Sequence, residues 1–223
     1  MKNTLISRRE FLKNMGVLGA GVLLSASPWL SAFSEVVETS NEKCRLAIIG
    51  PGSRGRFLMS FLIQNPKVDI VALCDIYQPS IDEGLKLAPK AKVYKDYRKI
   101  LEDKTIDAVL VATPLNSHCQ IVLDAFDAGK HVFCEKTIGF TMEECYRIYS
   151  KHISTGKIFF TGQQRLFDPR YIKTMEMIHA GTFGEIGAIR TFWNRNGDWR
   201  REVPSPDLER QINWRLYREY SKG

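Results

Sequence analysis

The chain has 223 residues, of which 44% are hydrophobic, and carries a formal net charge of +7 at pH 7. Residues 1–34 hold four basic side chains against one acidic side chain, and elsewhere basic and acidic residues are interleaved, which argues against nucleic acid as a partner. The five cysteines form no C-x-x-C pair, so neither a disulfide framework nor a metal site is expected.

The first segment predicts export. Residues 7–13 read SRREFLK, which matches the twin-arginine export signal, and the apolar stretch Met15–Leu24 follows. We therefore predict a twin-arginine signal peptide over residues 1–34, a linker over residues 35–43, and a periplasmic protein whose transient partner is the export machinery. An uncleaved membrane anchor and a disordered basic tail are the two alternatives. Because twin-arginine substrates cross the membrane folded, this route suits a protein that loads a cofactor in the cytoplasm.

A strand, a glycine-rich turn and a helix come next. The apolar run Leu46–Ile49 has the length and β-branched character of a buried parallel strand. A G-x-G-x-x-G turn and an amphipathic helical pattern follow, and a second apolar run, Ile70–Cys74, leads into Asp75. The turn consists of Gly50, Pro51, Gly52, Ser53, Arg54 and Gly55. The alternative to a ligand-binding loop is an ordinary strand-to-helix turn, in which the glycines serve only packing and Asp75 caps a helix.

This arrangement predicts dinucleotide binding. The first glycine permits the tight turn, the second lets the backbone approach a diphosphate, and the third lets the helix pack closely on the strand. The helix N-terminus offers unpaired N–H groups to the phosphates. Asp75 lies 20 residues beyond Gly55, where its carboxylate can accept the adenosine ribose hydroxyls and repel a 2′-phosphate. NAD is therefore favoured over NADP, and Arg54 would moderate that preference by offsetting part of the repulsion.

Helices and strands then alternate as far as residue 161. Helical patterns lie at residues 79–88, after the N-cap Asp96, before Gly129 and after the capping box Thr141–Glu144. Strands are predicted at Lys92–Tyr94, Ile106–Ala112, His131–Cys134 and Ile158–Thr161. This alternation implies right-handed crossovers, and hence an α/β fold with a doubly wound parallel sheet of the Rossmann type over residues 44–161.

Polar residues follow two of these strands. Thr113–His118 comes after one strand, and Glu135 and Lys136 come after the next. Since ligands of doubly wound sheets bind beyond the carboxyl ends of the strands, we expect these residues to lie near the glycine-rich turn and Asp75. Further along the chain, Glu185–Asn194 alternates apolar and polar residues, which predicts a long strand with one exposed face.

Together these motifs resemble one known family. GPGSRG at residues 50–55, the strand-end Asp75, ATPLNSH at residues 112–118, GKHVFCEK at residues 129–136 and the segment Gly181–Ile186 are similar to those of the Gfo/Idh/MocA oxidoreductases. The resemblance implies a Rossmann domain that binds NAD, or NADP as an alternative, a carbohydrate substrate, and a homo-oligomer at full length. It also implies that residues 162–223 form the incomplete beginning of an α+β open-sheet second domain.

The resemblance implies roles for individual residues as well. Lys136 matches the family's lysine that contacts the nicotinamide and the substrate hydroxyl, and Glu135 matches a glutamate on the nicotinamide-ribose side. Arg165 resembles a residue facing the substrate, although a structural role is preferred for it. The loop beside the middle of the cofactor contributes Thr113, Pro114, Asn116 and His118. The alternative for His118 is a residue at a helix start that bonds to local backbone.

Two features depart from or extend the family pattern. Thr137 replaces the proline that follows the family's lysine, which puts the shape of that loop in doubt. The family's helix with an acid and a histidine for proton transfer would begin where this chain stops, so the sequence resembles the front of a longer protein. The ending NWRLYREYSKG, residues 213–223, is similar to a bacterial subgroup that combines this fold with twin-arginine export and lies near the NAD-dependent glycosidases.

Three functions remain open on these residues. Hydride transfer from a carbinol carbon needs a base for the hydroxyl proton and a donor or cation for the developing oxyanion, and Lys136 suits the second task. The first function is an NAD-dependent oxidoreductase acting on a hydroxyl of a sugar, polyol or glycoside. The second is a glycosidase in which transient oxidation permits elimination of the leaving group. The third is a protein that binds the cofactor but is catalytically incomplete.

Overall fold

The structure, a computed structural model, describes residues 43–194 and 196–221. The predicted signal peptide lies outside the described residues, so export stays a prediction. In the described part of the chain, six strands form one parallel sheet. The strands are β1 (Cys44–Ile49), β2 (Val68–Cys74), β3 (Lys92–Tyr94), β4 (Ala108–Val111), β5 (His131–Cys134) and β6 (Phe159–Thr161).

Helices follow each of the first five strands, and three of the eight described helices start at a side-chain N-cap. The side chains of Asp96, Thr141 and Asp168 each accept a hydrogen bond from a backbone N–H in the first turn of their helix, so the N-caps predicted at Asp96 and Thr141 are confirmed. The helices are α1 (Ser53–Leu62), α2 (Gln78–Leu85), α3 (Tyr97–Glu102), α4 (His118–Asp127), α5 (Met142–Thr155), α6 (Pro169–His179), α7 (Glu209–Ile212) and α8 (Arg218–Ser221). Short 3-10 turns lie at Leu115–Ser117, Gln164–Phe167, Pro206–Leu208 and Trp214–Leu216.

The order of the strands confirms the predicted doubly wound sheet. It runs β3-β2-β1-β4-β5-β6, which is the Rossmann order, and the winding reverses between β1 and β4. The carboxyl ends of these two strands remain paired, since the Ala112 N–H donates to the Ile49 carbonyl at 2.9 Å. The residues that follow β1 and β4 therefore flank the crevice where ligands of such sheets bind.

Both faces of the sheet are buried, as the apolar runs of the sequence predict. Along β1, Ala47 and Ile49 belong to one core cluster, under α4 and α5, whereas Leu46 and Ile48 belong to another, beside α1 and α2. All four of these side chains are at most 7% exposed. A parallel sheet covered by helices on both faces accounts for strands that read as continuous apolar runs.

The described residues divide into two compact units. Residues 163–193 form one unit, and residues 43–162 together with residues 194–221 form the other, which contains the sheet. The last segment thus groups with the sheet, although the sequence assigns it to the beginning of a second domain. In this part of the chain no helix combines the length and apolarity needed to cross a membrane, and no group of three or more His, Cys, Asp or Glu side chains is placed to bind a metal ion.

The predicted strand Glu185–Asn194 is wrong. No strand is present over these residues, and the apolar members of the pattern are exposed: Ile186 to 42% and Phe192 to 76%. A strand is stabilised by backbone hydrogen bonds to a neighbour, and in the described residues no other strand pairs with this segment. The alternating pattern alone therefore does not produce the strand.

Candidate functional site

The residues predicted to bind the cofactor lie along one edge of the sheet because the strand ends are in register. Backbone N–H groups of residues that leave the sheet donate to carbonyls at the ends of neighbouring strands. These bonds are Gly50 to Cys74 (2.8 Å), Asp75 to Tyr94 (3.3 Å), Glu135 to Val111 (2.9 Å) and Gly162 to Cys134 (2.8 Å). The glycine-rich turn, Asp75, the Thr113 loop and Glu135 consequently lie along one edge.

The three glycines of the turn have different surroundings. Gly50 has φ +91°, and a Cβ there would lie 2.8 Å from the Ala112 carbonyl carbon, while a Cβ on Gly55 would lie 2.2 Å from the Gly50 oxygen. A Cβ on Gly52, in contrast, would have nothing within 4 Å. Gly50 and Gly55 are thus required for packing, and Gly52 leaves open space in front of the turn. This difference matches the distinct tasks of the glycines in a dinucleotide-binding loop.

The N-terminus of α1 faces this open space without a side-chain cap. Gly52 is the N-cap residue and has no side chain to bond to the first turn, so the early N–H groups of the helix lack the partner that a serine or aspartate would provide. Unpaired N–H groups and the positive end of the helix dipole favour an anion. The turn therefore fits the diphosphate of NAD.

Asp75 lies at the end of β2 beside two cationic side chains. Its Oδ1 accepts a hydrogen bond from the Tyr77 N–H at 2.9 Å. Burial raises the pKa of Asp75, while the Tyr77 N–H and the positive charges of Lys95 and Arg56 oppose that rise. The carboxylate is thus held at the strand end where the adenosine ribose of a dinucleotide binds, and Lys95 and Arg56 are the cations close to it.

Arg54 forms an ion pair with a residue of another loop. Its Nε and Nη2 atoms both lie 2.7 Å from Oε1 of Glu135, whose side chain is 7% exposed. The sequence does not predict this ion pair, and the expectation that Arg54 offsets part of the repulsion between Asp75 and a 2′-phosphate stays a prediction. This ion pair ties the first turn of α1 to the loop after β5.

Gly162 leaves the space that the carboxylate of Glu135 occupies. A Cβ on Gly162 would lie 2.8 Å from the carboxyl carbon and from Oε1 of Glu135. The Lys136 N–H donates to Oε2 of Glu135 at 3.2 Å, and the side chain of Lys136 is exposed. The Lys136–Thr137 peptide bond is cis. Glu135 thus joins Arg54 on one side and the backbone of Lys136 on the other.

His118 is fully occupied by backbone groups. It is 1% exposed, and its Nδ1 and Nε2 atoms lie 2.8 Å from the Thr137 oxygen and 2.9 Å from the Thr113 oxygen. Burial lowers the pKa of His118, whereas the two carbonyls and the charge of Glu135 oppose that change. Because both partners are carbonyl acceptors, a neutral ring donates to one of them only; His118 thus contacts the Thr113 and Thr137 loops, and its direct contact with a cofactor stays a prediction.

The remaining residues of the expected cofactor loop form a compact turn after β4. The hydroxyls of Thr113 and Ser117 lie 2.7 Å apart, and the Ser117 hydroxyl donates to the Pro114 carbonyl at 2.8 Å. Asn116 is exposed at the tip. Because a Cβ on Gly50 would also lie 2.9 Å from the Thr113 nitrogen, this loop packs directly against the glycine-rich turn.

Arg165 lies in the unit formed by residues 163–193. Its Nη1 atom donates to the Tyr171 hydroxyl at 2.8 Å, and its guanidinium lies over the rings of Tyr171 and Trp193 at 5.3 and 5.4 Å from their centroids. These contacts account for the arginine structurally, and substrate binding by Arg165 stays a prediction.

Sequence reasoning missed one residue at the glycine-rich turn. The Nη2 atom of Arg201 donates to the Ser53 hydroxyl at 3.1 Å. The two residues are 148 positions apart, and Arg201 lies in a segment without helical or strand periodicity, so no sequence pattern connects them.

Replacing Asp75 with alanine is expected to weaken NAD binding about tenfold or more, since a hydrogen bond to a charged group contributes about 1.5–3 kcal/mol. NADP should lose less affinity than NAD, because Lys95 and Arg56 remain near the vacated position. Isothermal titration calorimetry with both cofactors measures the two changes. Asp69→Ala is the matched control, as Asp69 is an exposed acid near the amino end of the same strand. An NAD affinity equal to that of the wild type would remove Asp75 from the site.

Comparison with known proteins agrees with this geometry. Residues 44–163 match the family described as "Oxidoreductase family, NAD-binding Rossmann fold" (GFO_IDH_MocA). A glycosyl hydrolase family 109 protein of Stenotrophomonas maltophilia (strain K279a) is 30% identical over 193 residues, which cover 81% of this chain and 40% of that protein. An alpha-N-acetylgalactosaminidase of Shewanella oneidensis is 27% identical over an alignment covering 86% of this chain and 52% of that enzyme.

A solved structure shares the fold. The crystal structure of myo-inositol 2-dehydrogenase from Lactobacillus plantarum superposes with a TM-score of 0.61 at 26% identity and covers 65% of this chain and 43% of that one. The chain spans about half the length, or less, of the relatives it matches.

Proposed function

This chain belongs to the Gfo/Idh/MocA oxidoreductase family with the NAD-binding Rossmann fold, and we propose that it transfers hydride between NAD and a hydroxyl-bearing carbon of a sugar, polyol or glycoside. The observation that carries the proposal is the alignment of the glycine-rich turn, Asp75 and Glu135-Lys136 along one sheet edge. Inositol dehydrogenase activity in a protein of the same fold supports a polyhydroxylated substrate. NAD, when bound, supplies the hydride acceptor or donor.

The residues of this chain would then divide the work of binding and proton handling. N–H groups at the start of α1 hold the diphosphate, and Asp75 accepts the ribose hydroxyls. Glu135 and Arg54 fix the first turn of α1 against the loop after β5. The exposed ammonium of Lys136 donates to the substrate oxygen and so stabilises the negative charge that develops there as the hydroxyl proton passes to solvent water.

A second function, of the hydrolase class, is favoured by two of the relatives. One is a glycosyl hydrolase family 109 protein and the other an alpha-N-acetylgalactosaminidase. In that reaction a ring hydroxyl is oxidised, the acidified neighbouring C–H loses its proton, the glycosidic leaving group departs, and water addition and return of the hydride regenerate NAD⁺. The same binding site serves both reactions, and the net redox change differs between them.

Product analysis distinguishes the two functions. The protein is incubated with NAD⁺ and, separately, with myo-inositol and with an aryl N-acetyl-α-galactosaminide, while NADH absorbance and aryl alcohol release are followed together. NADH formed in proportion to substrate consumed supports the oxidoreductase, and aryl release without NADH accumulation supports the glycosidase. If the protein binds NAD but turns over neither compound, nor any member of a wider sugar panel, both functions are contradicted. The protein would then bind the cofactor without catalysing a reaction.

A further inference from the structure

The segment after residue 195 brings an arginine to the glycine-rich turn. Arg201 donates through Nη2 to the hydroxyl of Ser53 at 3.1 Å, and Ser53 is the first residue of α1. The guanidinium has five N–H donors in total, of which this contact uses one. It therefore lies beside the helix N-terminus, with further donors for an anion bound there.

Asn213 fixes the backbone from which this arginine extends. It is 2% exposed. Its Oδ1 atom accepts from the Arg201 N–H at 2.6 Å, and its Nδ2 atom donates to the Arg201 carbonyl at 2.9 Å and to Oε2 of Glu209 at 2.9 Å. The amide thus pairs with both backbone groups of Arg201, as a neighbouring strand would. Removing a buried amide whose hydrogen bonds are all made costs stability, because its partners are left unpaired. These bonds therefore hold the backbone of Arg201 in one position.

The guanidinium of Arg201 differs from its neighbours in having no carboxylate partner among the described residues. Two neighbouring arginines in the segment have carboxylate partners: Arg200 pairs with Glu209, and Arg210 pairs with Glu219. Among the described residues, no such ion pair is formed by Arg201. Burial lowers the pKa of Arg215, and the charge of Arg201 lowers it further, so two like charges lie near each other. An anion between the turn and this segment would relieve that repulsion.

We propose that Asn213 is a positioning residue that holds Arg201 over the glycine-rich turn, where the guanidinium binds the diphosphate of the dinucleotide. The inference rests on the proposed function, because it assumes that NAD occupies the turn. It extends that function by assigning part of the cofactor site to residues far along the chain from the Rossmann motifs.

Arg201→Gln tests the ligand contact directly. Affinities for NAD, ADP and adenosine are measured by isothermal titration calorimetry with the full chain. NAD and ADP should each bind about tenfold more weakly, as expected for one lost charge-assisted hydrogen bond, and adenosine, which has no phosphate, should bind as before. Arg201→Lys retains the charge and should recover part of the loss. Arg147→Gln removes an equal charge from the exposed face of α5 and serves as the matched control.

Asn213→Ala tests the positioning role through its dependence on Arg201. The variant should reproduce the ligand pattern of Arg201→Gln, with NAD and ADP weakened and adenosine unchanged. Added to Arg201→Gln, it should cause no further loss of NAD affinity, because residues that act through one contact are not additive. Additive losses would mean that Asn213 acts independently of Arg201, and an Asn213→Ala protein that fails to fold would assign the amide a structural role only.

The outcomes separate this inference from the proposed function. Wild-type protein that binds neither NAD nor ADP overturns the cofactor site and this inference with it. Wild-type binding together with an unchanged NAD affinity in Arg201→Gln overturns this inference alone. A loss that extends equally to adenosine also overturns it, because the diphosphate would not be the group recognised.

Discussion

Gly55→Ala is expected to lower the free energy of unfolding by about 3 kcal/mol or more, at the upper end of the costs of overpacking a core. The new Cβ would lie 2.2 Å from the Gly50 oxygen, and Gly50 cannot move away because it packs on the backbone of Ala112 and bonds to the Cys74 carbonyl. A contact with backbone on both sides cannot be relieved by a rotamer change. Urea unfolding followed by circular dichroism measures the loss.

Gly52→Ala is the matched control in the same turn. Its Cβ would have nothing within 4 Å, and its φ of −66° is open to any residue, so the free energy of unfolding should stay close to that of the wild type. NAD affinity should nevertheless fall, because the methyl group enters the space through which the diphosphate approaches the backbone. If Gly55→Ala proved as stable as Gly52→Ala, the tight packing of β1, α1 and β4 would be contradicted.

Lys136→Ala is expected to reduce kcat/KM for hydride transfer by about 100-fold to 1,000-fold, the range for removing one donor that stabilises a developing oxyanion. NAD affinity should change little, because the lysine side chain is exposed and the proposed cofactor contacts are made by other residues. Steady-state kinetics and calorimetry on the same preparation measure the two quantities. The substrate is the one identified by product analysis.

Lys104→Ala provides the control for this substitution. Lys104 is an exposed lysine just before β4, and thus at the amino end of the strands, away from the edge that carries the site. Its removal changes the net charge equally and should leave turnover unchanged. Turnover retained by Lys136→Ala would show that the reacting hydroxyl lies elsewhere.

The sheet could be predicted from the sequence because its signals are local. Apolar runs of strand length, each followed by a helical pattern with its own cap, specify a doubly wound arrangement. Asp96 and Thr141 cap the helices that they were expected to cap. The edge of the sheet then follows from topology, since the carboxyl ends of parallel strands lie together.

The details of the site could not be predicted, because they depend on contacts between distant residues. The ion pair of Arg54 with the buried carboxylate of Glu135, 81 positions away, has no signal in the sequence. His118 bonds to Thr137, 19 positions along the chain, and no periodicity indicates that contact. The prediction of a strand at Glu185–Asn194 was wrong for a similar reason. Alternation of apolar and polar residues indicates which side of a strand would be buried, but it does not show that a neighbouring strand is present to pair with it.

The division of the chain into units has a consequence for synthesis on the ribosome. The six strands and the glycine-rich turn are complete once residue 162 has emerged, but the polypeptide then makes the 163–193 unit before Arg201 and Asn213 are added. A nascent chain would therefore form the nucleotide crevice first and gain Arg201 and Asn213 later. On the proposed role of Arg201, cofactor binding would begin before that segment is made and would tighten once the segment has folded.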